Sequence, residues 1–142
     1  MTDERRKAHL ARLETMFHQA PIARSFGMRL SYDAEQRAVF TLPYNAGFDH
    51  GLGGIHGGVF ATLLDNAGWF TVAAHYETWV ATVEFQVRLL QPVQGEELVA
   101  RGRMVHAGKR LATAEMEVRA GERLVAMGSG TFTVTSQPLP AG

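Results

Sequence analysis

Residues 57–76, GGVFATLLDNAGWFTVAAHY, place apolar side chains on every face of a helix: Val59, Phe60, Leu63, Leu64, Ala67, Trp69, Phe70, Val72 and Ala73. Such a helix would run roughly 30 Å. A helix that is apolar all round is stable only when enclosed, so the remaining chain has to wrap it. One charge interrupts the run. Asp65 stands between Leu64 and Asn66, and a carboxylate in apolar surroundings costs free energy unless something compensates it.

The second half of the chain supplies the wrapping. In 80–90, Val83, Phe85, Val87 and Leu89 alternate with Glu84, Gln86 and Arg88, which predicts a strand with that apolar face buried. Pro92 and Gly95 mark a turn, and 97–106 is a less regular strand. In 110–119, Ala112, Ala114, Met116 and Val118 oppose Thr113, Glu115, Glu117 and Arg119. AGER, 120–123, is a tight turn into a last strand over 123–135. The small residues Ala126, Gly128 and Gly130 there imply a closely packed backbone. These four strands read as an antiparallel meander. Residues 28–42 add two short strands joined by a turn at 33–36, and 43–56 form a loop. An amphipathic helix over 3–19, carrying Leu10, Leu13 and Phe17, ends at Pro21. The tail SQPLPAG is expected to fray. Val99, Val125 and Met127 fall on outward faces and suit an interface.

The expected architecture is α+β: about six antiparallel strands around one long central helix, with an N-terminal helix beside them. The 142 residues suit a single domain, 1–142, with its core at about 26–135. Formal net charge is zero, from 14 basic and 14 acidic residues; nothing in that balance calls for nucleic acid or an anionic membrane. The absence of cysteine excludes thiolate chemistry and fits a cytoplasmic location. The charged N-terminus does not read as a signal peptide, and no apolar run is long enough to span a membrane.

GLGGIHGG, 51–58, resembles a nucleotide loop but fails its tests. GxGxxG would need glycine where His56 stands, and a Walker A loop would need Lys-Ser/Thr where Val59-Phe60 follow. The six histidines show no metal-ligand spacing, so no metal site is expected. What remains is the junction at Gly57 and Gly58. The first amides of a helix lack internal partners and carry partial positive charge, so this end can polarise a carbonyl or hold an oxyanion. The glycines could equally serve only to relieve crowding where loop meets helix. Asp65, two turns on, reads either as a structural carboxylate met by a backbone amide or as a functional one.

The string GGIHGGVFATLLDNAG closely resembles the signature of the hotdog-fold acyl-CoA thioesterases of the phenylacetic-acid-degradation type. TVEFQVRLLQP and HAGKR recur in the same style and order, and the likeness runs over roughly 26–135. It implies a hotdog fold, hydrolysis of a thioester to free acid and CoA, and no separate cofactor, since the CoA moiety belongs to the substrate.

It also implies roles. The Gly57 amide, with Gly58 beside it, would polarise the thioester carbonyl. Asp65 would act as nucleophile or general base. His50 stands where the family usually has an asparagine that supports the carbonyl or the water. Thr82 falls where relatives often carry a hydroxyl close to the acid. His56 would bond the loop at the substrate's edge, and Arg88, His106, Lys109 and Arg110 are candidates for the CoA phosphates. The family further implies a homodimer with a site shared between subunits, commonly paired again into a homotetramer. Hydration or dehydration of a hydroxyacyl thioester, with His50 or His56 joining Asp65, is the alternative chemistry, and a non-catalytic acyl-CoA-binding protein the alternative class. Phe48, Trp69, Phe70, Trp79 and Phe85 either line an aromatic acyl pocket or fill the core.

Overall fold

A computed structural model describes residues 1–141. The chain begins with α1 (Asp3–Gln19), capped by Thr2, whose hydroxyl accepts from the Arg5 amide. Its buried face is His9, Leu13 and Phe17, with Leu10 only partly covered. Pro21 ends this helix and also opens another. It occupies the first turn of α2 (Pro21–Phe26), where its missing N–H costs nothing. Gly27, at φ 76°, closes α2 in the left-handed region.

Strands β1 (Arg29–Tyr32) and β2 (Ala38–Leu42) pair through the predicted turn. Asp33 holds that turn: its Oδ1 accepts from the amides of Glu35 and Arg37, and its Oδ2 from Arg37 Nε. A loop with one 3₁₀ turn at Ala46–Phe48 leads to α3 (Gly57–Ala73). Then follow β3 (Thr78–Phe85), β4 (Arg88–Leu89), β5 (Leu98–Ala107), β6 (Leu111–Ala120) and β7 (Arg123–Pro138).

All the strands form one antiparallel sheet in the order β1-β2-β5-β6-β7-β3, with β4 also on β7. The expected four-strand meander is therefore only β5-β6-β7. The strand after α3 does not pair with its successor in sequence. It lies at the far edge, against β7, and residues 90–97 carry the chain back to β5 beside β2.

The sheet curls around α3. Leu63, Leu64, Ala67, Val72 and Ala73 have no exposed surface, and burying a leucine side chain contributes about 1.5–3 kcal/mol. On the sheet side Phe40, Leu98, Ala100, Ala112, Ala114, Val118 and Phe132 are equally enclosed. Backbone contact is close at two glycines. A Cβ at Gly102 would lie 2.3 Å from the Ala67 carbonyl oxygen of α3, and one at Gly128 would lie 1.9 Å from that of Gln86.

Three expectations are corrected. Val83 and Leu89 are each 57% exposed and Val87 is 37% exposed. Beyond β3 the chain offers no further strand, so nothing of its own covers that face. Val125 is buried, not outward, because a register irregularity after Val118 turns it inward. The tail does not fray up to Ala141: β7 runs to Pro138, Leu139 is 5% exposed, and Arg12 Nη2 donates to the carbonyls of Leu139 (3.0 Å) and Pro140 (2.9 Å).

Candidate active site

Helix α3 is not enclosed on every side. Ala61, Thr62, Asp65 and Asn66 form a half-buried stripe at i, i+1, i+4 and i+5. Thr62 Oγ1 donates to the Gly58 carbonyl and Asn66 Nδ2 to that of Thr62, so both amide and hydroxyl are satisfied within the helix. Asp65 is met from the sheet: Thr82 Oγ1, on β3, donates to its Oδ1 at 2.8 Å. Burial pushes the Asp65 carboxyl above its ordinary value, and the Thr82 hydroxyl offsets part of that rise. The result is a carboxylate with one oxygen held, the other without a partner among the described residues, and a raised affinity for a proton.

Asp65 opens into a chamber of about 450 Å³, within the usual size of a small-molecule site. One wall is α3, with Asn66, Trp69 and Phe70. Away from α3 the lining is the end of α1 with Ile22 of α2, Pro140 and Ala141, together with Trp79 of β3. Trp69 is fixed by its indole N–H, which donates to the Val80 carbonyl at 2.7 Å, and by Trp79, 4.8 Å between ring centroids. Of the aromatics named from sequence, Trp69, Phe70 and Trp79 line this chamber. Phe48 packs on Phe26 elsewhere, and Phe85 packs against the core beside Gly130.

The other end of α3 is built by His56. It is the N-cap residue, and its Nδ1 accepts from the Gly58 amide at 2.8 Å. Its own carbonyl accepts from the Val59 amide at 2.9 Å. That leaves the Gly57 amide without a partner among the described residues, at the positive end of a seventeen-residue helix. A Cβ at position 57 would come within 2.9 Å of the Leu89 side chain. His50 lies in the loop before it. Its Nδ1 accepts from the Leu52 amide at 3.1 Å and its ring lies over Gly54. Both histidines thus use Nδ1 for loop backbone, and when neutral both carry their proton on Nε2.

The structure does not gather the four phosphate candidates into one patch. His106, Lys109 and Arg110 lie at or near the exposed β5–β6 hairpin, where the Arg110 carbonyl accepts from the Val134 amide. Arg88 pairs with Met127, about 20 Å back along β7. It is next to Leu89, and therefore near Gly57.

Sequence reasoning passed over Asn66, Asp49 and the chamber wall from α1. Asn66 had a readable signal, a second polar residue in the apolar run. Asp49 had none: its Oδ2 accepts from the Tyr44 hydroxyl at 2.5 Å, while its buried Oδ1 has no partner among the described residues. It lines a cleft with His56 and Gly58 at the mouth of α3.

The model of the thioesterase superfamily matches residues 52–127. A Halobacterium salinarum protein bearing the name "Putative esterase" is 33% identical in an alignment 116 positions long that covers 72% of this chain and 75% of that one. Among solved structures, a thioesterase family protein from Silicibacter pomeroyi is 27% identical, with a TM-score of 0.82 over 88% of this chain and 96% of its own. The E. coli PaaI protein of the phenylacetic acid degradation operon, 20% identical, shares the fold at a TM-score of 0.86, over 98% of this chain and 100% of that one. With a curled antiparallel sheet around one long helix, and a family match over more than half its length, the chain belongs to the thioesterase superfamily and is a thioester hydrolase of the hotdog fold.

Proposed function

We propose that the substrate is an acyl-CoA with an uncharged acyl group, hydrolysed to free acid and CoA at a site shared by two copies of this chain. The observation that carries the reading is the Asp65 carboxylate at the edge of an apolar chamber, with one oxygen held by Thr82 and the other free. The acyl group lies along Trp69 and Trp79. Asp65 is the only ionisable side chain lining the chamber among the described residues, which disfavours acyl groups ending in a carboxylate.

Gly57 and Asp65 cannot serve one carbonyl within a single chain. They lie eight residues apart on one helix, about 12 Å along its axis. A second copy resolves this. Strand β3 has a free edge, and Val83, Val87, Leu89 and Leu90 expose apolar surface beside it, the kind of surface a partner covers. In a dimer across this edge Asp65 faces the partner subunit's Gly57. The amide polarises the thioester carbonyl. The free oxygen of Asp65 either attacks the carbonyl carbon, expelling the thiolate and leaving an anhydride that water then hydrolyses to the free acid, or takes a proton from a water that attacks the carbonyl directly and expels the thiolate. A thiolate leaves readily, so one carboxylate and one amide suffice. The dehydratase reading would need His50 or His56 at Asp65, and each of them already spends its Nδ1 on a backbone amide, His50 on Leu52 and His56 on Gly58, so enoyl product is the outcome that separates the two readings.

The test is thiol release from a panel of acyl-CoAs, with Asp65→Asn as control. The reading requires turnover of uncharged acyl groups and at least a hundredfold loss in kcat in the variant. Release of thiol at an unchanged rate by Asp65→Asn, or enoyl product without thiol, would overturn it.

A further inference from the structure

The wall of the chamber opposite α3 comes from the two ends of the described chain. The last turns of α1 contribute Met16 and Gln19, and the tail contributes Pro140 and Ala141. A tail of this composition has little reason to stay in place by itself. Here Leu139 is buried against the core, and one guanidinium nitrogen of Arg12 donates to two successive carbonyls, those of Leu139 and Pro140. Arg12 is on α1, one turn before Met16, so the residue that holds the tail belongs to the helix that forms the rest of that wall. Arg12 forms no ion pair among the described residues.

We propose that Arg12 is a positioning residue for acyl specificity: by pinning the tail against α1 it fixes the wall opposite α3, and so sets the longest acyl chain the site accepts. This rests on the reading of the chamber as the acyl site. An acyl group entering beside Asp65 runs along Trp69 and meets Pro140 and Ala141. With the tail held, a chain longer than the chamber has to displace it. With the tail released, the wall opens and longer chains are admitted, while the carboxylate, Thr82 and the Gly57 amide are untouched.

Two measurements test this. The first is kcat and KM for thiol release over straight-chain acyl-CoAs from acetyl to palmitoyl, for the wild type, Arg12→Ala and Arg12→Lys. Arg12→Ala should raise kcat/KM at least tenfold, through KM, for chains beyond the wild-type optimum, and keep kcat on the shortest substrates within twofold. Arg12→Lys, which keeps a donor, should fall between the two. The second reads binding without turnover. The chain has two tryptophans, Trp69 and Trp79, and both line the chamber, so their emission reports occupation by S-alkyl-CoA thioethers of increasing length. The longest tightly bound thioether should lengthen in Arg12→Ala. An unchanged length profile, or an equal loss at every length, would overturn the proposal. Thioether binding that follows this pattern in a chain that releases no thiol would uphold the wall and reject the hydrolytic reading alone.

Discussion

Thr82 Oγ1 donates to Asp65 Oδ1 at 2.8 Å, tying the edge strand β3 to the one acid of the central helix. The bond favours the ionised carboxyl, while burial disfavours it. Thr82→Val removes the first and keeps the second, so the Asp65 pKa climbs further. Hydrolysis needs the carboxylate, so the acid limb of kcat/KM against pH moves to higher pH. On that limb the variant should fall below the wild type, and the loss should recover as pH rises. A loss of equal size at every pH would mean that Thr82 acts only through packing.

Asp65→Asn should trade rate for stability. The folded state holds the Asp65 proton more tightly than the unfolded chain does, so ionisation at neutral pH subtracts from stability. Asparagine removes that penalty and keeps an acceptor for Thr82. The variant should melt at a higher temperature than the wild type at pH 7. The difference should shrink as pH falls to about 4, where the unfolded carboxyl also protonates. A lower melting temperature at pH 7 would contradict this assignment of the carboxyl.

The shared site can be tested by complementation. Gly57→Pro deletes the N–H at a first-turn position that tolerates proline, its ring displacing only the exposed tip of Leu89, and His56, at φ −61° and ψ 138°, already has the conformation a following proline requires. Alone, this variant should lose about 10²–10³ in kcat. Co-expressed with Asp65→Asn, it should yield mixed dimers with one intact site each, and activity should return. Failure to return with mixed dimers present would mean that Gly57 and Asp65 do not meet across the dimer.

His56 caps α3 through Nδ1. His56→Ala should cost about 1 kcal/mol in stability, read by urea denaturation, and lower kcat by loosening the Gly57 turn. His56→Asn, a better cap, should recover the stability.

Gly102→Ala would push a methyl group to 2.3 Å from the Ala67 carbonyl oxygen and 2.2 Å from Thr71 Oγ1. The backbone cannot yield without moving β5 off α3. We expect a loss of about 3 kcal/mol or more by denaturant titration, with Gly51→Ser, at an exposed turn with open space around it and no positive φ, far milder.

The elements and the central helix were legible because each leaves a local period. In 111–120, Ala112, Ala114, Met116 and Val118 alternate and are all buried. Alternation in 80–90 was equally clear, yet Val83 and Leu89 are exposed. Period two marks a face that meets something and does not say whether that is the same chain. Strand order was illegible for a related reason: pairing of β3 with β7 is a long-range choice, and adjacency in sequence suggested β5. Gly57, Asp65 and Thr82 stood out through motif and resemblance. The chamber did not, since Met16 and Pro140 lie at opposite ends of the chain and no window contains both.

Gly57 and Asp65 ride on one uninterrupted helix. A single residue inserted between 58 and 64 would swing Asp65 about 100° around the axis, off Thr82 and into the place Asn66 now holds. The loop at 43–56 and the crossing at 90–97 can lengthen or shorten at modest cost. Over generations, then, side chains along 58–64 can be exchanged only for others that fit the core, and their number cannot change at all: seven intervening residues act as a ruler that descent has to copy whole.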